Sequence, residues 1–131
     1  MKNSIFSLFI FFIIINGCTD PISSDPKIEK LIFVACEGNF GASNGTINVL
    51  NDNGDVTKIE GIGDVVQSLE VYKNKLIVLI NNSHLIKIYD ITEDGLKLPG
   101  IEISTDNSSP RELVAIDDKV YFTNWNTKDI K

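Results

Sequence analysis

The chain has 131 residues, 43% of them hydrophobic and 23% charged, with a formal net charge of −6 and a pI near 4.6. That length limits the folded part to one small domain, and the acidic balance argues against a binder of nucleic-acid phosphates, which needs clustered Lys and Arg. Two cysteines exclude a disulfide-rich scaffold and a four-cysteine zinc site.

The first predicted element is a leader. Residues 5–15 read IFSLFIFFIII, ten of eleven apolar, behind the positive charge of Lys2. An apolar stretch this short after a basic start is a signal-peptide core and is too short to span a bilayer as a helix. It ends in Ile15-Asn16-Gly17-Cys18. This resembles a bacterial lipobox, which implies cleavage before Cys18, acylation of its thiol and anchoring in the lipid bilayer. An ordinary secretory signal or an uncleaved anchor is the alternative. The reading divides the chain into a lipoprotein signal peptide at 1–17, the lipidated Cys18 with a tether at 18–29, and a folded domain at 30–131. Removing residues 1–17 takes away Lys2 and no acid, so the charge moves from −6 to −7. The tether, TDPISSDPK from Thr19, holds the Pro, Ser and Asp of a flexible spacer. Cys36 is the one thiol left, and the apolar run LIFVAC around it predicts a buried, inert side chain.

The domain is predicted to be all-β. Lys30-Leu31-Ile32-Phe33-Val34 is echoed 45 residues later by Lys75-Leu76-Ile77-Val78-Leu79, and 44 after that by Lys119-Val120-Tyr121-Phe122-Thr123. Leu69 and Val71 match Leu113 and Ala115, and Ile86-Lys87 matches Ile130-Lys131, again 44 apart. A period of this length built from strand-like runs is the sequence mark of a β-propeller, one blade per repeat. The units are 30–60, 61–104 and 105–131. In the middle one the strands fall at Ser68–Tyr72, Lys75–Ile80, 85–91 and 96–103, joined by turn residues such as Lys73-Asn74 and Glu93-Asp94-Gly95. The first unit starts at its second strand, Lys30–Cys36, continues with 46–50 and 56–60, and lacks a first strand. About two and a half blades are present, whereas a ring needs about four or more. The expectation is therefore an N-terminal fragment of a longer chain, with a deliberately small β-sheet protein as the alternative.

Strands of a blade run up and down, so its connections alternate between two ends. Tight turns fall at one end. At the other end fall the segments 37–44, 63–68, 81–84, 108–111 and 124–126, which carry amides, hydroxyls, Phe40, Arg111 and Trp125. Such an inventory suits a neutral, polar ligand with apolar edges, although Asn, Gly and Ser also favour loops for conformational reasons alone. The candidate ligand-binding residues are Asn39, Phe40, Gln67, Asn82, Arg111 and Trp125. Other readings are weaker. His84, the single histidine, has no partner at metal-ligand spacing and is expected in an exposed loop. Asp64, Asp106 and Glu37 lack calcium-loop spacing, and Asp117-Asp118 reads as a solvated turn. No G-x-S-x-G, HExxH or phosphate-binding glycine loop occurs, so neither a catalytic residue nor a metal site is assigned.

The runs EGNFG…SNGTI at 37–47, GDVVQS at 63–68, KLIVLINNS at 75–83 and SPRELVAIDDKVYFTNW at 109–125 resemble the YVTN-type β-propeller lipoproteins of Bacteroidetes and related bacteria. The likeness covers about residues 30–131 and implies seven blades in a complete ring. Some members of that family capture cobalamin and pass it to a TonB-dependent outer-membrane transporter. The resemblance thus implies a non-catalytic, outer-membrane lipoprotein, on the cell surface or in the periplasmic leaflet, with no cofactor of its own. Its loop face would hold a corrinoid, and its partners would be the bilayer, through Cys18, and such a transporter. A protein or polysaccharide interaction platform is the second reading, and a lactonase-like propeller hydrolase the third.

Overall fold

Alternating and continuous apolar runs give β-structure throughout the part of the chain that the computed structural model describes, residues 30–131. The expected signal peptide, Cys18 and the expected tether lie outside the described residues. Nine strands follow in chain order: β1 (Ile32–Cys36), β2 (Gly45–Leu50), β3 (Val56–Gly63), β4 (Val66–Tyr72), β5 (Lys75–Ile80), β6 (Leu85–Thr92), β7 (Gly95–Ser104), β8 (Pro110–Ile116) and β9 (Lys119–Asn124). No helix occurs among the described residues. The strands form three antiparallel sheets, β1-β2-β3, β4-β5-β6-β7 and β8-β9. The first sheet has three strands and begins on the run that the sequence reading took as a second strand.

The pairing registers recur. In the middle sheet Leu69 faces Val78, Glu70 faces Ile77 and Tyr72 faces Lys75. In the third, Leu113 faces Phe122, Val114 faces Tyr121 and Ile116 faces Lys119, each pair 44 positions further on. Beyond β9, Phe122 and Lys131 exchange both backbone hydrogen bonds, at 2.8 and 3.1 Å. That pair stands 44 residues after Val78 and Lys87, which are partners across β5 and β6.

Packing explains the composition of the strands. Leu76, Val78 and Ile80 of β5 join a core with Ile47 and Val49 of β2, Ile62 of β3, Val66 of β4 and Tyr89 of β6. Ile77 and Leu79 of the same strand point the other way and join Ile86, Ala115 and Phe122. Both faces of β5 are covered, so its apolar run is continuous. Each aliphatic side chain buried this way contributes about 1.5–3 kcal/mol. By contrast β1 is covered on one face only. Phe33 and Ala35 turn inward, while Ile32, Val34 and Cys36 are exposed. The buried thiol expected at Cys36 is corrected here: period-two alternation puts it on the uncovered side of an otherwise apolar run, where Asn48 Nδ2 lies 3.2 Å from Sγ.

Two strand boundaries also move. β3 continues past Glu60 to Gly63, and β4 starts at Val66, ahead of Ser68. A bulge between Val66 and Ser68 absorbs one extra residue of β4, an irregularity between Gly45 and Ile47 absorbs two extra residues of β3, and both let pairing continue beyond the alternating pattern. The tight turns follow expectation. Asn51 Oδ1 accepts from the amides of Asn53 and Asp55, at 3.0 and 2.9 Å, the local side-chain bond for which Asn is favoured in turns. Asp117 and Asp118 both have positive φ, 48° and 63°, as a two-residue hairpin turn requires. Gly100 answers a different need: at φ 82°, a Cβ there would lie 2.7 Å from the Tyr89 ring, so β7 can cross that buried ring only with glycine.

Candidate functional site

The connections at one end of the sheets are sewn together by backbone hydrogen bonds. The Val66 amide donates to Glu37 O at 3.2 Å, Asn81 to Val65 O at 2.8 Å and Asn82 to Asp64 O at 3.1 Å. Forty-four residues on, Trp125 donates to Ser109 O and Asn126 to Ser108 O, both at 3.1 Å. The same geometry imposes the same backbone: Val65 and Ser109 both adopt positive φ, 62° and 52°. For a β-branched residue such as Val65 this is a strained conformation, held by its neighbours at a cost of about 1–3 kcal/mol.

Asp64 organises the first of these junctions. It is buried, both of its carboxylate oxygens lie 3.0 Å from the Gly41 amide, and Asn82 Nδ2 donates to it as well. Its own amide donates to Ser83 Oγ at 2.8 Å. By accepting from both partners, the carboxylate ties the 37–44 loop to the β5–β6 turn. His84 plays a comparable part. The sequence suggests an exposed loop histidine; in the structure it is half-buried, and Nδ1 accepts from the Ser109 amide at 3.1 Å. Its turn must reach the following sheet to satisfy that donor, which draws the ring inward. Among the described residues no group of His, Cys, Asp and Glu is arranged to hold a metal ion.

Between these ties lies a pocket of about 270 Å³. Four of the six candidate residues line it: Phe40 from the β1–β2 loop, Gln67 from β4, Arg111 from β8 and Trp125 after β9. The Arg111 guanidinium stacks on the Trp125 ring, 4.0 Å from its centroid, an attraction of about 0.5–2 kcal/mol. Phe40 is 80% and Trp125 66% exposed, so both rings offer apolar area to solvent from an ordered framework. Gly38, at φ 81°, forms part of the wall. A Cβ there would come within 2.6 Å of Asn44 Oδ1.

The other two candidates belong to the scaffold around the pocket. The Asn39 amide donates to Asn44 Oδ1 at 2.7 Å and its carbonyl closes a turn with Ala42. The Asn82 side chain is spent on Asp64. Cys18 lies outside the described residues. The lining adds Glu37, Gly38, Val65 and Asn81, which fall in the same loop segments but were not among the six ligand-binding candidates. Asn81 had a signal, since it stands 44 residues before Trp125. Its side chain donates to Pro110 O at 2.9 Å and joins the middle sheet to β8.

Compared with models of known families and with curated proteins, the chain has no match.

Proposed function

We propose that this chain is an extracytoplasmic lipoprotein, anchored through Cys18, whose strands form blades of a β-propeller and whose loop end binds a ligand without transforming it. The observation that carries the reading is the pocket shared by Phe40, Gln67, Arg111 and Trp125. Loops from all three sheets contribute to it, and it leaves the Phe40 and Trp125 rings largely exposed to solvent.

The propeller arrangement draws support from one further feature. Ile77, Leu79 and Ile86 form the face by which the middle sheet packs on β8–β9. Their counterparts 44 residues later are Tyr121, Thr123 and Ile130, which line an apolar groove of about 320 Å³ on the outer face of β8–β9. A face with the same pattern is suited to receive another unit of the same kind.

Within this reading the ligand is a corrinoid, bound for transfer to a TonB-dependent transporter. Calorimetric and spectral titration of the full chain, purified in detergent, with cobalamin tests it. Saturable binding at micromolar levels is expected, and the absence of both heat and a spectral change would overturn the corrinoid assignment. Metabolic palmitate labelling tests the anchor separately, with labelling expected in the native chain and lost in Cys18→Ser.

A further inference from the structure

Arg111 is the chain's single arginine and Trp125 its single tryptophan, and the two stack on each other in the wall of the loop pocket. A guanidinium lying flat on an indole keeps its N–H edge directed outward and has already lost much of its rotational freedom. That edge has no internal use. Lys58, Lys73, Lys75 and Lys87 each pair with a carboxylate. Among the described residues Arg111 has neither an ion-pair partner nor a hydrogen-bond acceptor. The one carboxylate in the lining, Glu37, is exposed and lies beyond ion-pair distance from it. Arg111 is also the only cation in that lining, on a chain of net charge −6.

Beside this fork stands Phe40, mostly solvent-exposed, yet on a loop fixed by the Gly41–Asp64 and Asn39–Asn44 hydrogen bonds. An exposed apolar ring, a pre-stacked planar cation and the amide of Gln67 form one concave surface. They complement an oxyanion carried on a flat apolar body: the oxyanion accepts two parallel N–H bonds from Arg111, and the body covers the rings.

We infer that the loop pocket selects organic anions, a carboxylate or phosphate ester attached to an apolar ring, with Arg111 as the group that recognises the charge. This deepens the ligand-binding reading of the same pocket and depends on it.

Because Trp125 is the only tryptophan, fluorescence of the full chain in detergent, excited at the red edge of the tryptophan band where tyrosine does not absorb, reports on this pocket. Benzoate, phenyl phosphate and the neutral benzamide serve as probes. Both anions should quench Trp125 saturably, at least about tenfold more tightly than benzamide. Stronger quenching by phenyl phosphate than by benzoate would point to a phosphate ester, and the reverse to a carboxylate. Arg111→Gln, with strand content checked by circular dichroism, should erase the preference for anions while leaving the weak benzamide signal. Arg111→Lys should restore it in part, since it keeps the charge and loses the fork. Glu37→Gln should tighten anion binding.

Equal binding of benzamide and benzoate, or an anion preference that survives Arg111→Gln, would overturn the inference and leave the ligand-binding pocket standing. No saturable quenching by any probe would overturn the inference, and failure of cobalamin as well would overturn the pocket reading with it. Anion-selective quenching without cobalamin binding would remove only the corrinoid.

Discussion

Asp64 shows how a single side chain can decide a loop. Its buried carboxylate takes the Gly41 amide and the Asn82 side chain at once, so the 37–44 segment is held by an acid 23 residues away in sequence. Asp64→Ala leaves those donors without an acceptor, and the expected cost is about 1–3 kcal/mol. A lower thermal midpoint, with faster hydrogen exchange at the Gly41 amide, would register it. Unchanged exchange at Gly41 would mean that the loop is held by something else. Tyr89 makes a different residue-level argument. Burial pushes its phenol up from the ordinary tyrosine range, and the charge of Glu102 adds to the effect. A raised folded-state value means that stability is intact below the unfolded pKa of about 10 and declines as pH rises beyond it. An alkaline titration of the thermal midpoint should show that decline, and Tyr89→Phe should reduce it.

At the scale of the element, β5 and β1 carry similar apolar runs with opposite outcomes. Five of the six residues in β5 are buried, because sheets lie on both of its sides. In β1 alternate residues are exposed, because one side is open. Run length and hydrophobicity do not separate these cases, which is why the placement of Cys36 was not legible from LIFVAC. The turns were legible, since their chemistry is local: Asn51 and the Asp117-Asp118 pair act within a few residues of themselves. Ion pairs between neighbouring strands and turns add a pH dependence. A hydrogen bond from Lys75, reinforced by its charge, holds the Asp90 carboxyl below the usual range. Lys73 does the same for Asp118, and Lys58 for Glu60. For a depressed carboxylate the stabilisation is present above the unfolded pKa and is lost as pH falls through the folded one. The thermal midpoint should therefore drop below about pH 4, and Lys75→Gln should soften that drop.

Across the whole described domain, stability rests on the two layers of apolar contact that join the three sheets. Leu79 is fully buried between β5 and the β8–β9 hairpin. Leu79→Ala should cost about 2–5 kcal/mol, lost transfer energy plus the cavity left behind. Val34→Ala on the open face of β1, where the side chain is 43% exposed, should stay within about 0.5 kcal/mol. Urea midpoints of the two variants compare them directly, and equal losses would contradict the assignment of the covered face. The same contacts position the pocket. Arg111 comes from β8 and Phe40 from the β1–β2 loop, so the pocket exists only while all three sheets stay docked.

Spacing along the chain was sufficient for the β-class, the approximate strands, the recurrence at 44 residues and the clustering of polar and aromatic residues in one set of connections. These follow from periodicity and turn chemistry, which act over a few residues and repeat. Four of the six candidate residues line one pocket, because the connections at one end of adjacent sheets come together. The docked sheets decided the rest. Which face of each strand is covered, why Asn82 and His84 serve as ties, and why Glu37 and Val65 reach the pocket all depend on groups that meet across tens of residues. Alternation in a strand marks two faces without saying which one another sheet will cover, and a loop residue's role is set by the partner that folding brings within hydrogen-bond reach.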